Sequence, residues 1–396
     1  MRIALLSGAF PPQFDGIGDY SWWISQTLTE QGHEVTVLTS FAPVRQQPDG
    51  VEVLACFDAS RSETISGALQ GLEMKSRFDW LIVQYNPFCF GRRGFAPWLV
   101  PALRKSGIPI AVMFHETFAV PLWPWQQIVM RIWQYPQFAF LARTGLCNFV
   151  STERWLTQVR RWAKGPSELL PVGSNLPLCN LTKREARERL GLSQNALILG
   201  VFGFAHQSKR TRWIAAAAKK IHARLPQTEM LCIGQIGQSV QEACAGTPVH
   251  AHGSLPGPEA SLRLRAMDLF LAPLSDGISG RRGSVVAALQ HGLPICSTVR
   301  NYTDAFLKDF VSPAFSLVPH DDLDRFCEEA LRLAEASRQQ PMLGQELADF
   351  HDRHFAWPVI AERMVTGLLR IQIANHSIAS EGQPPPSSAI RPKTLP

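Results

Sequence analysis

Two arginines and three glycines lie together in residues 275–284, directly before an apolar stretch with helical spacing, 285–291. Glycine lets backbone amides approach a ligand closely, and the first amides of a helix are free to bind an anion. Guanidinium groups add planar donors that match phosphate oxygens, whereas without an anion the positive end of a helix repels them. With Ser284 as the candidate N-cap, this segment predicts a diphosphate site formed by Asp276, Gly280, Arg281, Arg282, Gly283 and Ser284.

A second basic position follows the apolar run 196–202, which predicts a buried strand. Gly203 bends the chain after this run, and Lys209 precedes the helical stretch 212–224. An ammonium group at that point can face phosphate oxygens. The alternative interpretation is a solvated basic helix start, because further basic residues follow within the helix.

Two further positions in the first half of the chain come directly after predicted strands. Gly16 and Gly18 follow the strand 2–6 in a loop that opens a helix, and both permit close backbone approach. His115 follows the strand 108–114, where an imidazole can donate to a substrate oxygen or polarise it. The plain alternatives are a turn without a ligand and a structural histidine. The loop lacks the GxGxxG spacing and the ribose-binding acid of NAD enzymes, which disfavours a dehydrogenase.

The elements that must position these residues alternate between short apolar runs and amphipathic stretches, which is typical of parallel sheets covered on both faces. The rhythm restarts after the segment 171–181, rich in Pro, Gly and Ser, where we place a domain boundary. Two open α/β domains enclose a cleft, and ligands lie beyond the carboxyl ends of their strands. We predict domains at 1–180 and 181–355, a helix at 356–373, and a disordered tail at 374–396.

The composition supports folded domains and excludes several classes of protein. The 396 residues are 45% apolar, which excludes a disordered chain. The net charge of +6 comes from scattered Lys and Arg, so we expect anionic small molecules or a membrane surface as partners, and no nucleic acid. The eight cysteines lack metal-binding spacing, and the acidic group at 321–324 precedes a helix as N-capping residues do. We expect no bound metal and no cofactor.

An aromatic and apolar region covers residues 118–143, but prolines and polar residues interrupt it short of the ~18 apolar residues of a spanning helix. Its arginines and aromatic rings can form an interfacial surface for a membrane or a lipid-linked acceptor; the residues concerned are Trp123, Trp125, Ile128, Arg131, Trp133, Tyr135, Phe138 and Arg143. The alternative is packing in the core and between domains. We expect a cytoplasmic protein without an export signal, with peripheral contact at the inner face of the membrane as an open alternative.

Several segments together resemble the GT-B glycosyltransferases of glycosyltransferase family 4, over residues 2–372. The likeness to the family's acceptor domain rests on FPP at 10–12, GIGDY at 16–20 and QGHEVTVLT at 31–39. The likeness to its donor region rests on LAP at 271–273, DG at 276–277 and AALQHGLPI at 287–295. FAW at 355–357, with the final helix, is similar to the family's crossover to the first domain.

The resemblance implies two Rossmann-like doubly wound domains that face a central cleft, with a C-terminal helix that crosses back to the first domain. It implies metal-independent, retaining transfer of a sugar from a nucleotide-diphosphate sugar to a glycan, lipid-linked or small-molecule hydroxyl. The catalytic residues would be His115, Lys209 and Arg282. Gly16, Gly18, Gly203 and Lys209 would join the diphosphate segment in binding the donor, and the acceptor would contact Asp15, Tyr20 and Glu116.

The donor region departs from the family pattern at one carboxylate. The family has two glutamates eight positions apart, and Asp276 takes the place of the first. Ser284 lies eight residues later, and Ala287 stands where the second glutamate is expected from its spacing to Gly292. This departure keeps two alternatives open: a catalytically weak or inactive nucleotide-sugar-binding protein, and a GT-B-like sugar epimerase.

Overall fold

The first half of the chain forms a parallel sheet of seven strands in the order β3-β2-β1-β4-β5-β6-β7. The computed structural model describes residues 1–13, 15–41, 46–75, 77–118, 124–244 and 246–381. The strands are β1 (Arg2–Ser7), β2 (Glu34–Ser40), β3 (Glu52–Phe57), β4 (Trp80–Tyr85), β5 (Ile110–Phe114), β6 (Cys147–Val150) and β7 (Ser167–Leu169). The helices of this N-terminal lobe are α1 (Gly16–Glu30), α2 (Ser62–Lys75), α3 (Leu99–Lys105), α4 (Pro124–Thr144) and α5 (Glu153–Arg160).

The second half forms a parallel sheet of six strands in the order β10-β9-β8-β11-β12-β13. The strands are β8 (Leu197–Phe202), β9 (Thr228–Ile233), β10 (Val249–His252), β11 (Leu269–Ala272), β12 (Ile295–Val299) and β13 (Phe315–Pro319). The helices are α6 (Lys183–Leu190), α7 (Thr211–Arg224), α8 (Ile236–Ala243), α9 (Gly257–Ala266), α10 (Gly283–Gln290), α11 (Ala305–Lys308), α12 (Leu323–Gln339), α13 (Gln345–His354) and α14 (Trp357–Glu381). This C-terminal lobe and the first lobe confirm the predicted pair of doubly wound α/β sheets.

Each sheet is covered by helices on both faces, which explains the unbroken apolar runs of the central strands. In β4, Leu81 and Val83 face one hydrophobic core, while Trp80 and Ile82 face another on the opposite side. The strand order reverses between β1 and β4 and again between β8 and β11. The carboxyl ends of the strands at such reversals are where open α/β sheets bind ligands.

The last helix returns to the N-terminal lobe. Ile360, Met364 and Leu368 of α14 are fully buried in the core on one face of the first sheet. The Trp357 indole packs edge-on against Tyr20, with ring centroids 5.1 Å apart, and its Nε1 donates to the carbonyl of Ser174 at 2.7 Å. The helix ends at Glu381 rather than at the expected residue 373, and the rest of the expected tail, 382–396, lies outside the described residues.

Much of the aromatic region 118–143 is a single helix, α4, although Pro136 lies inside it. Pro124 occupies the first helical position, where a missing N–H costs nothing, and Pro136 removes only one backbone bond from the later turns. Residues 119–123, including Trp123, lie outside the described residues. Among the described helices, none combines the length and the apolar character needed to cross a bilayer.

A buried ion pair fixes α6 to the C-terminal sheet. Asp268 accepts from the Arg187 guanidinium, from the Ile198 amide at 2.8 Å and from the Lys183 ammonium at 2.9 Å. Only 5% of the Arg187 side chain and 10% of the Asp268 side chain are exposed. Loss of the carboxylate would leave a guanidinium buried without its counter-charge, which is far more costly than loss of a surface pair.

We expect Asp268→Ala to lower the free energy of unfolding by about 3–5 kcal/mol. Glu188→Ala is the matched control, because it removes an exposed partner of Arg184 from the same helix and should cost only about 0.5 kcal/mol. Urea unfolding followed by tryptophan fluorescence measures both. A loss for Asp268→Ala no larger than for the control would contradict the structural role of this pair.

Candidate active site

Lys209 lies at the carboxyl end of β8, beside the start of α10. Gly203 adopts φ +115°, and a Cβ there would lie 2.7 Å from Lys209 Nζ and 3.7 Å from Ser284 Cβ. The Lys209 ammonium donates to the Phe202 carbonyl at 2.6 Å. Burial, together with the positive charge of Arg282, lowers the pKa of Lys209 to about 8. A partly desolvated ammonium next to another cation is well placed to receive an anion.

The Arg282 guanidinium is bonded to the carboxylate of Asp276. Arg282 is also the N-cap of α10, so the helix begins at Gly283 and the expected N-cap, Ser284, lies inside it. Burial lowers the pKa of Arg282, and Arg281 adds to that effect. Among the described residues, Arg282 Nε and Asp276 Oδ1 are buried without a hydrogen-bond partner. Both unsatisfied atoms point to a site that is completed by further polar groups.

Arg281 bridges the two lobes through Glu116, which directly follows His115 after β5. Of the two side chains, 28% of Arg281 and 31% of Glu116 is exposed, so both line the gap between the lobes rather than face bulk solvent. The second Glu116 oxygen accepts from Asn86 Nδ2 at 3.4 Å. Glu116, expected to contact an acceptor, is therefore bonded to a residue expected to bind the donor.

His115 is buried beneath the same gap. Its Nε2 lies 2.8 Å from Gln84 Oε1, and its ring packs edge-on against Tyr20 with centroids 4.7 Å apart. Because an amide oxygen only accepts, Nε2 carries the proton and Nδ1 keeps a lone pair. Burial lowers the pKa of His115 to about 3, so the ring is neutral at physiological pH. A neutral imidazole in this position can accept a hydrogen bond from a hydroxyl.

Other residues expected at the site have evident structural roles. Asp15 caps α1, since its Oδ1 accepts from the amides of Ile17 and Gly18 at 2.8 and 3.0 Å. A Cβ at Gly18 would lie 3.2 Å from the backbone of Phe10, whereas Gly16 faces open space. Tyr20 is fully buried and its hydroxyl has no partner among the described residues. A ligand contact for these four residues stays a prediction.

Gly280 belongs to the contact between the lobes rather than to an open anion site. Its amide donates to Asp304 Oδ2 at 2.7 Å, and its carbonyl accepts from the Val172 amide at 3.0 Å. The other Asp304 oxygen accepts from the Glu153 amide at 2.8 Å, and Glu153 Oε2 accepts from the Ala305 amide at 2.9 Å. This reciprocal pair of bonds holds α5 against α11 across the gap.

Two residues at the site were not predicted from the sequence. Arg154, after β6, has its guanidinium carbon 3.8 Å from the Tyr302 ring centroid and 4.6 Å from that of Trp155. Tyr302 follows β12, so both positions come shortly after a strand, which was the criterion that selected His115. Applied to β6 and β12, the same criterion would have found them.

No group of three or more His, Cys, Asp or Glu side chains suited to a metal occurs within the described ranges. The acidic residues at 321–324 cap α12 as predicted, because Asp322 accepts from the Arg325 amide at 2.9 Å.

Comparisons with known proteins agree with this architecture. Residues 195–336 match the family model described as glycosyl transferases group 1. No curated protein sequence matches the chain significantly. Sucrose-phosphate synthase from Thermosynechococcus elongatus superposes with a TM-score of 0.70 at 17% identity, covering 96% of this chain and 100% of that one.

Two more solved structures share the arrangement. Alr3699/HepE from Anabaena, solved with UDP and glucose, gives a TM-score of 0.67 at 14% identity, covering 93% of this chain and 100% of that one. A putative UDP-N-acetylglucosamine 2-epimerase from Listeria monocytogenes gives a TM-score of 0.59 at 13% identity, covering 96% of this chain and 97% of that one. The chain has the GT-B fold. Because the GT-B neighbours include an epimerase and a synthase, the fold by itself does not choose between their reactions.

The neutral state of His115 makes the stability of this GT-B protein depend on pH. The folded chain keeps His115 unprotonated down to about pH 3, whereas an unfolded histidine takes up a proton below about pH 6.5. Protonation therefore favours the unfolded chain, and the stability contributed by neutral His115 is present above pH 6.5 and lost as the pH falls towards 3.

We expect His115→Gln to reduce the slope of unfolding free energy against pH, between pH 6 and 4.5, by up to about 1.4 kcal/mol per pH unit. Chemical unfolding at several pH values measures the slope. Val311→Ala, which changes an exposed residue without a titratable group, should retain the wild-type slope. Equal slopes for wild type and His115→Gln would show that His115 is protonated in the folded state.

Proposed function

We propose that this protein is a retaining glycosyltransferase of family 4 that moves a sugar from a nucleotide-diphosphate sugar to a hydroxyl acceptor. The observation that supports it is the row of cations at the carboxyl ends of the C-terminal strands. Lys209, Arg282 and Arg281 lie around the first turn of α10, and Arg281 reaches across the gap to the N-terminal lobe. Such a group binds a diphosphate and stabilises the charge that it gains on leaving.

In the proposed reaction, the bond between the anomeric carbon and the diphosphate oxygen breaks as the acceptor oxygen bonds to the same face of that carbon. Lys209, Arg281 and Arg282 stabilise the negative charge that develops on the diphosphate. The acceptor hydroxyl gives its proton to the departing phosphate oxygen, so that no metal or protein nucleophile takes part. His115 Nδ1 accepts a hydrogen bond from a sugar hydroxyl and so holds the sugar ring in place.

Donor binding would exchange partners at the site. Without a ligand, Asp276 and Glu116 neutralise Arg282 and Arg281. A diphosphate offers both planar guanidinium groups oxygens that can accept bidentate hydrogen bonds. Release of Glu116 from Arg281 would leave its carboxylate free beside His115, in the N-terminal lobe, where we propose that the acceptor binds.

The two alternatives make different demands on the carboxylates of the site. A sugar epimerase needs free carboxylates as acid and base, and two carboxylates that line the gap, Glu116 and Asp276, are both bonded to arginines. A nucleotide-sugar-binding protein without activity is motivated by the missing second glutamate. Its place is taken by Ala287, which is fully buried in the core beneath α10, so the donor ribose needs another partner.

We further propose a cytoplasmic protein that contacts an anionic membrane surface through α4 and its neighbours. Residues 80–152 contain six basic residues and one acidic residue, Glu116, which is engaged in the gap. All six basic side chains are exposed: Arg92, Arg93, Arg104, Lys105, Arg131 and Arg143. Ile132, Phe140 and Phe95 are 69%, 58% and 55% exposed among them. Arginines mixed with exposed apolar side chains suit an interface with anionic lipid, and so a lipid-linked acceptor.

The donor site is tested by nucleotide binding. A thermal-shift screen of UDP-, GDP-, ADP- and dTDP-sugars selects the nucleotide, and a turnover assay then follows both the nucleoside diphosphate and the glycosylated acceptor. We expect Arg282→Ala to weaken nucleoside diphosphate binding by about 1.5–3 kcal/mol, measured by calorimetry. Arg189→Ala, at an exposed position of α6, should bind like wild type.

Unchanged affinity in Arg282→Ala would remove this loop from the donor site. Nucleoside diphosphate released without any glycosylated product would support the inactive or weak alternative, and a changed sugar without transfer would support the epimerase.

The membrane contact is tested by co-sedimentation with vesicles. Wild type should sediment with vesicles that contain anionic lipid and remain in solution with purely zwitterionic ones. The double variant Ile132→Asp, Arg143→Glu should lose most of this binding. Val311→Asp, Arg189→Glu is the matched control on the C-terminal lobe, where Val311 is 89% exposed. Binding of both variants at the wild-type level would contradict the contact.

A further inference from the structure

Arg154 lies at the gap between the lobes. It has no carboxylate partner among the described residues, whereas Arg281 and Arg282 each have one. Its guanidinium is held by two rings, Trp155 from its own lobe and Tyr302 from the other. Stacking covers the faces of a guanidinium but leaves the N–H groups at its edge free to donate. The side chain is therefore fixed in place with its hydrogen bonds unused.

These donors belong to a side chain that lines a small, partly open pocket between the lobes. Arg281 contributes a second guanidinium to its wall, and Thr152 and Ser279 contribute hydroxyls. Thr152 is the N-cap of α5 but makes no capping bond with its side chain, and neither hydroxyl is bonded to another described residue. The carboxylate in the wall, Asp276, is bonded to Arg282.

The pocket extends the row of cations away from Lys209. Lys209 and Ser284 line one pocket, and Arg154 and Arg281 line another together with Asp276, the partner of Arg282. Arg281 and Arg282, adjacent in the chain, thus lie between Lys209 and Arg154. A diphosphate bound at Lys209 and Arg282 leaves the Arg154 end open.

Two guanidinium groups and two hydroxyls that converge on one small pocket fit a tetrahedral oxyanion. We propose that this pocket binds a phosphate monoester group carried by the acceptor, beside the diphosphate of the donor. The proposal rests on the proposed transferase function, because it assigns the second substrate of that same site. Since Arg154 and Thr152 come from the N-terminal lobe and Ser279 from the other, a bound phosphate would also hold the two lobes together.

Calorimetry with inorganic phosphate and with glycerol 3-phosphate tests the pocket, each in the presence of a saturating nucleoside diphosphate. We expect both probes to bind wild type under these conditions. Arg154→Gln should lower the affinity for glycerol 3-phosphate by about tenfold or more. Arg161→Gln is the matched control at the exposed end of the same helix and should bind like wild type. Thr152→Val, which removes one hydroxyl, should give a smaller loss.

Three outcomes would overturn the proposal: no phosphate binding by wild type, full affinity in Arg154→Gln, or loss of phosphate binding when the nucleotide saturates. The last would assign the pocket to the donor's own phosphates. Nucleotide affinity measured on each variant checks that the lobes remain assembled, and Arg154→Lys, which keeps the charge, should retain part of the phosphate affinity. A wild type that binds phosphate but no nucleotide would contradict the transferase function rather than the pocket.

Discussion

Positive charge concentrated in a partly buried gap is the constraint on which the arrangement of this protein depends. Arg281 and Arg282 cannot stay in such a place unpaired, because the cost of desolvating a charge falls only when a counter-charge is near. One counter-charge, Asp276, comes from the same loop, and the other, Glu116, comes from the opposite lobe. The charge balance of the site therefore requires that the two lobes lie close together.

The sheets satisfy this requirement through the positions at which their strands end. Parallel strands deliver their carboxyl ends to one edge of each sheet, so His115 follows β5 beneath the gap and Lys209 follows β8 beside the start of α10. Hydrogen bonds from backbone amides to carboxylates then fix the distance between the lobes. Asp304 joins the amides of Gly280 and Glu153, and its burial raises its pKa while these two bonds act against that rise.

The sequence was sufficient to predict elements whose pattern is local. The continuous apolar runs of β5 and β8 and the periodic helix α7 are found within one or two residues of the predicted bounds. Short or polar elements such as β7, β10 and α6 were missed, because they expose much of their surface and carry little apolar signal. Gly280 was assigned to an anion because its loop suggests one, yet its amide is used by Asp304, 24 residues away, a partner that local spacing does not reveal.

The donor loop, residues 275–284, departs from the family pattern in sequence. The same limit explains why its charge balance is visible only in the structure. At the place of the missing glutamate, Ala287 packs into a fully apolar core, where a carboxylate without a partner would be strongly destabilising. The loop has instead gained guanidinium groups whose counter-charges are already present when no ligand is bound. An anion that enters such a site exchanges one ion pair for another and does not have to desolvate a free cation, so a row of cations can persist in a folded protein and still bind phosphate.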